Sequence, residues 1–109
     1  MVVIWMPEAL DTLEEIRKYI HENDAPRVAS NFVLLMRKTS GLLGANPKMG
    51  KIEPLLTEDP LGYRSFVVKK RHKLIYYIDS ASDTIYIDAV YDCRQKPSKL
   101  RRLLKRAIR

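Results

Sequence analysis

Arg64, Lys69, Lys70, Arg71, His72, Lys73 and Arg94 crowd the ends of three short runs that read as strands. Arginine offers a planar fork that matches two phosphate oxygens at once, and lysine offers a compact positive charge. If the runs are neighbours, Arg64 near the start of one, Lys73 near the start of the next and Arg94 just past the last are expected to converge on a single anion. Such a group can act on RNA without a metal or cofactor. Attack by a 2′-hydroxyl needs a base at that oxygen, stabilisation of the charged phosphorane and a proton for the leaving 5′-oxygen. Arginine and lysine supply the second need electrostatically. His72 is the residue suited to the first and third, since imidazole titrates near neutrality. The candidate catalytic set is therefore Arg64, Lys73, Arg94 and His72, with Lys69, Lys70 and Arg71 as RNA-binding or steering charges. A second reading of Lys69 and Lys70 is a wet turn whose charge protects a sheet edge from aggregation.

Other chemistries lack their residues. There is no phosphate-cradling glycine loop, no histidine pair at metal-ligand spacing and no nucleophile elbow. His21 falls near the end of a predicted helix, where a cation suits the dipole. Cys93 has basic neighbours but no evident base to activate it. Glu14 with Glu15 lie on a solvated helix face, and Glu53, Glu58 and Asp59 lie in a loop whose shape the sequence leaves open.

The elements that must position this cluster follow from periodicity. Val2 to Trp5 is short, β-branched and aromatic, hence a strand. Pro7 opens a helix to about His21, with Leu10, Leu13, Ile16 and Ile20 at helical spacing. Asp24 is expected to cap a second helix, which starts at Pro26, carries Val28, Phe32, Leu35, Met36, Thr39 and Leu43, and stops at Gly44 and Asn46-Pro47. The short linker implies a helical hairpin. Residues 48–62 read as loop with a short edge strand near Ile52. Arg64–Lys70, Lys73–Asp79 and Thr84–Tyr91 alternate with a period of two and read as strands, the last two joined by a turn at Ser80–Asp83. Pro97 opens a third, amphipathic helix bearing Leu100, Leu103, Leu104, Ala107 and Ile108. The expected fold is α+β: a helical hairpin on one face of a twisted antiparallel sheet, with the opposite face left to bind a partner.

The 109 residues suit one domain, residues 1–109. A net charge of +7 favours a polyanionic partner, whether nucleic acid, a ribosomal surface or an acidic protein segment. The single cysteine excludes an internal disulfide. No apolar stretch approaches the length of a membrane span, and the first residues lack the pattern of a signal peptide, so a cytoplasmic protein is expected.

The segments "WMPEALDTLEEIRKYI", "NPKMG", "YRSFVVKKRHKLIYYI" and "IDAVYDCRQKP" resemble, in that order, the RelE/ParE superfamily, the toxins of bacterial type II toxin-antitoxin systems. The resemblance runs from Val3 to Pro97. It implies the fold just described and a neutralising acidic antitoxin whose extended segment wraps the toxin. It also implies one of two activities. RelE-like members cut messenger RNA on the ribosome with a basic constellation, to which Arg64, Lys73 and Arg94 correspond. Where those nucleases often carry a late histidine or tyrosine, this chain has Asp92 or Cys93, and Leu100. ParE-like members poison DNA gyrase and need no catalytic residues. The expectation carried forward is a ribosome-dependent mRNA endonuclease, with gyrase inhibition as the alternative.

Overall fold

A computed structural model describes residues 1–93. The expected C-terminal helix and Arg94 lie outside the described residues. The elements run β1 (Val2–Trp5), α1 (Pro7–Asn23), α2 (Pro26–Ala45), β2 (Lys51–Ile52), a 3-10 turn at Pro54–Leu56, β3 (Arg64–Val68), β4 (His72–Asp79) and β5 (Thr84–Asp92). Proline stands in the first turn of both helices, where its missing N–H costs nothing. Asp24 does not cap α2. Ala25 holds that position without a side-chain bond, while the Asp24 carboxylate accepts the Ala25 N–H at 2.9 Å. Gly44 does not stop the helix, which closes one residue later, the Asn46 N–H reaching the carbonyls of Leu42 and Leu43.

The five strands form one sheet in the order β1-β5-β4-β3-β2. The expectation of an antiparallel sheet is corrected at one edge. β1 runs parallel to β5, pairing Val2 with Thr84 through Trp5 with Ile87. A parallel neighbour requires a long crossover, and the helical hairpin between them supplies it. The other pairings are antiparallel.

The helices cover one face. Ala9 and Leu13 of α1 and Met36 and Leu43 of α2 pack on Val68, Leu74, Tyr76, Ile85, Ile87 and Val90 in the main core. Each fully buried Leu or Ile side chain contributes about 1.5–3 kcal/mol. The opposite face is not bare as expected. Ile75, Ala89 and Tyr91 join Leu56 and Tyr63 in a second buried cluster, against which Leu55 and Tyr77 pack. Alternation makes this unavoidable, because Ile75 sits between Leu74 and Tyr76 and must face the other way.

Two local features shape that second face. The β4–β5 register shifts between Ile75, opposite Ala89, and Tyr76, opposite Ile87, so Asp88 is an extra residue in β5. Such a bulge lets Asp88 and Ala89 both lie on the side of the second cluster. The β3–β4 turn is closed by the Arg71 N–H on the Val68 carbonyl at 3.3 Å, with Lys69 at φ 50° and Lys70 at φ 62°. Two successive left-handed residues match the turn that suits a hairpin's twist, a geometry normally given to Asn-Gly. Here lysines occupy it, each at a cost of about 1 kcal/mol.

Candidate functional site

Of the seven residues singled out in the sequence, the six that are described do not form one cluster. On β3, Arg64 stands opposite Tyr76, whose side chain belongs to the helix-covered core, so Arg64 projects to the helix side. Its Nη1 donates to the Gly50 carbonyl at 2.8 Å. Lys73 stands opposite Val67 and next to Ile75 in phase, and so lies on the other face. Its Nζ meets Glu53 Oε1 at 2.6 Å. The expected convergence of Arg64 and Lys73 is corrected by strand alternation: the two cations occupy opposite sides of the sheet. His72 is buried toward the helices, with Phe32 edge-on to its ring at 5.2 Å between centroids. It does not share the face of Lys73.

Lys73 and Glu53 form an internal pair. Glu53 is fully buried, and its Oε2 also accepts the Leu55 N–H at 2.9 Å, which fixes the start of the 3-10 turn. Burial pushes the Glu53 pKa up, but the Lys73 ammonium, the Leu55 N–H and the nearby Ser65 hydroxyl together outweigh it, and the carboxyl stays below its ordinary value. Ser65 Oγ is buried and completes no hydrogen bond of good geometry, so its contribution is that of a nearby dipole. A lysine neutralised in this way offers an incoming phosphate little net charge.

Gly50 serves the other side. Its N–H donates to the Tyr76 hydroxyl at 2.9 Å, and that hydroxyl donates to the Pro47 carbonyl at 2.8 Å. A Cβ on Gly50 would lie 2.5 Å from the Ser65 carbonyl oxygen and 2.7 Å from the Tyr76 oxygen, so only glycine fits. Arg64 closes this arrangement, holding the end of the loop against the sheet.

Of the described cations in that set, those facing water are in the turn. Lys69, Lys70 and Arg71 are exposed, and Arg71 approaches Asp92 at 3.6 Å. At this distance and exposure the pair contributes little. Among the described residues no group of His, Cys, Asp and Glu is placed to hold a metal ion. Burial pushes the Cys93 thiol up; Lys73 opposes this, but Asp92 and Glu53 add to it, and the thiol stays protonated at neutral pH.

Residues 3–97 match a family model described as ParE toxin of type II toxin-antitoxin system, parDE. The chain belongs to that family. No curated protein matches it. The described part of this ParE-family toxin has the α+β fold expected of the RelE/ParE group, and membership implies an antitoxin partner. No described helix of the toxin is long and apolar enough to cross a membrane.

Sequence reasoning passed over two polar groups of the toxin. Glu53 stood among three loop acids with nothing to single it out. Asp88 is buried in β5 and accepts the Tyr63 hydroxyl at 2.7 Å. Burial raises the Asp88 pKa; the Tyr63 bond lowers it, while Glu8 and Asp59 add to the rise, and the net direction is upward. Burial and the Asp88 charge likewise raise the Tyr63 phenol above its usual range. The sequence did carry a signal. A lone acid in "TIYIDAVY" interrupts an apolar run, and the apolar phase slips there from Ile85 and Ile87 to Val90.

Proposed function

We propose that this toxin arrests growth by binding its target, as a ParE-like inhibitor of DNA gyrase, and not by cutting RNA. The observation that carries this reading is the separation of Arg64 from Lys73: the sheet lies between them, and each is held by an internal partner at 2.8 Å and 2.6 Å. Burial of His72 under the helices supports it further, since a general acid or base must reach the proton it transfers. The family description, which names ParE, points the same way. In this reading Lys69, Lys70 and Arg71 are the contact charges. Exposed at a strained turn, they meet the DNA that gyrase holds, while Arg64 and Lys73 keep the sheet and loop in place. Such a target puts the toxin in the cytoplasm.

The test is a paired assay with purified toxin. Supercoiling by gyrase is expected to fall and cleaved gyrase-DNA complexes to accumulate, with mRNA left intact in a translation extract. Ribosome-dependent mRNA cuts without any effect on gyrase overturn the proposal in favour of the nuclease.

A further inference from the structure

The two edges of the sheet differ in how they meet water. β2 is two residues long, carries Lys51 and is ended by Pro54, devices that keep a free edge from pairing. β1 has none of them: Val2–Trp5 is apolar throughout, uncharged and without proline. Its inner side is joined to β5, the Val2 N–H donating to the Asp83 carbonyl at 3.1 Å and the Met6 N–H to the Ile87 carbonyl at 3.0 Å. Backbone groups alternate along a strand, so Val3 and Trp5 turn their N–H and C=O groups outward. Among the described residues these groups meet no partner. Side chains alternate too. Val3 and Trp5 pack against the main core, whereas Val2 at 61 % and Ile4 at 41 % exposure lie on the other face. There Ile4 stands beside Tyr86, which stacks on Tyr77 at 5.2 Å, a row that runs to the edge of the sheet.

We propose that β1 pairs antiparallel with β1 of a second copy about a two-fold axis at Ile4. This register sets Val3 opposite the partner's Trp5 and Trp5 opposite the partner's Val3. Each such pair exchanges both N–H···O bonds, so every outward group of Val3 and Trp5 is satisfied. Other registers are poorer. An axis at Val3 sets Trp5 against Met1, whose amine already donates to the Gly44 carbonyl, and an axis at Trp5 sets Val3 against Pro7, which has no N–H. On the open face Ile4 covers the partner's Ile4 and Val2 lies beside the partner's Met6, so apolar surface leaves water. Charge selects the place. A copy also carrying +7 is repelled by the toxin's cations, and β1 alone among the described strands carries no charged residue. The contact uses the open edge of each copy and leaves only the guarded β2 edges, so assembly stops at the dimer. A four-residue ladder is short and suits a weak interface, below about 1,200 Å². The inference does not depend on the choice between gyrase and mRNA.

Sedimentation of the full chain checks this. The average mass is expected to rise from 12.7 kDa toward twice that as the concentration reaches hundreds of micromolar. Ile4→Lys sets like charges opposite each other at the axis, on an exposed position, and is expected to weaken association by roughly tenfold or more. Its far-UV circular dichroism should match that of the wild type. Cysteine cross-linking in a Cys93→Ser background reads the register. A non-hydrogen-bonded antiparallel pair sets its Cα atoms about 4.5 Å apart, within disulfide reach, so oxidised glutathione should trap Ile4→Cys as a dimer. Val2→Cys, whose two copies would lie roughly 14 Å apart, should stay untrapped. Equal cross-linking of the two variants, or a dimer that survives Ile4→Lys, overturns the proposal. So does a wild type that stays at 12.7 kDa throughout. If such a monomer binds the product of the neighbouring reading frame and Ile4→Lys abolishes that binding, the edge belongs to another protein's strand and not to a second copy.

Discussion

Lys73→Met tests whether Lys73 is a structural or a reacting cation. The substitution keeps the aliphatic stem and removes the ammonium 2.6 Å from Glu53, which is fully buried. Orphaning a buried charge costs about 3–5 kcal/mol. Lys73 retains 17 % of its exposure and Glu53 keeps the Leu55 N–H, so a loss somewhat below that scale, roughly 2–4 kcal/mol, is expected. For a domain of this size that is a fall in Tm of roughly 10–20 °C. The pH dependence identifies the cause. In the wild type the Glu53 pKa is held below 4.5, so its stabilisation is present above the unfolded value and is lost as pH falls through the folded one. In Lys73→Met burial acts with less opposition and raises that pKa, so acid protonates the orphan and removes its penalty. Thermal melts should therefore show a wide gap between the two proteins at pH 7 that narrows as pH falls and closes only once the wild-type Glu53 is itself protonated, below its lowered pKa. The double variant Glu53→Leu with Lys73→Met should regain most of the loss and remain toxic if Lys73 only supports the fold. A gap under about 2 °C at pH 7, or one that does not change with pH, would refute the ion pair as a stabilising element. A stable double variant without toxicity would return Lys73 to the reaction.

Replacing Lys69 by Asn and Lys70 by Gly gives the turn residues that tolerate its left-handed backbone, and is expected to stabilise the toxin by about 1 kcal/mol. The same change should weaken gyrase inhibition, and a variant both more stable and fully potent would remove the turn from the target contact. Asp88→Asn keeps an acceptor for Tyr63 and removes a buried charge. Because the Asp88 pKa is raised, its ionised form costs stability as pH rises through that value, so the variant should melt higher than wild type at pH 7 and gain nothing in acid. Chemical unfolding at pH 4 and pH 7 checks this, and an equal gain at both would point to a cause other than charge.

Helix positions were legible because Pro7 and Pro26 open them and the apolar spacing is regular. The strands were legible from alternation, and even the short β2 at Lys51–Ile52 left a trace beside Ile52. The parallel pairing of β1 was not, since four apolar residues carry no information about which edge they join. The candidate site failed at a particular step. Arg64 and Lys73 were matched by their distance from strand ends, but alternation makes facing depend on cross-strand register, and a register of Arg64 to Tyr76 sends the two residues to opposite sides. The partners that hold them come from residues 48–62, where periodicity is silent. His72 read as the candidate acid and base because imidazole titrates near neutrality, yet its place opposite Val68 puts it in phase with the core.

The parallel edge also constrains how the toxin is made. Val2 leaves the ribosome well before Thr84 and finds its partner only once Thr84 has followed, so the earliest of the described strands to be synthesised must wait for the latest before its ladder can zip. Helices α1 and α2 can pair locally long before that. The nascent toxin therefore spends most of its translation with an unsealed sheet border, an interval in which a partner already present could engage it before the finished fold is released.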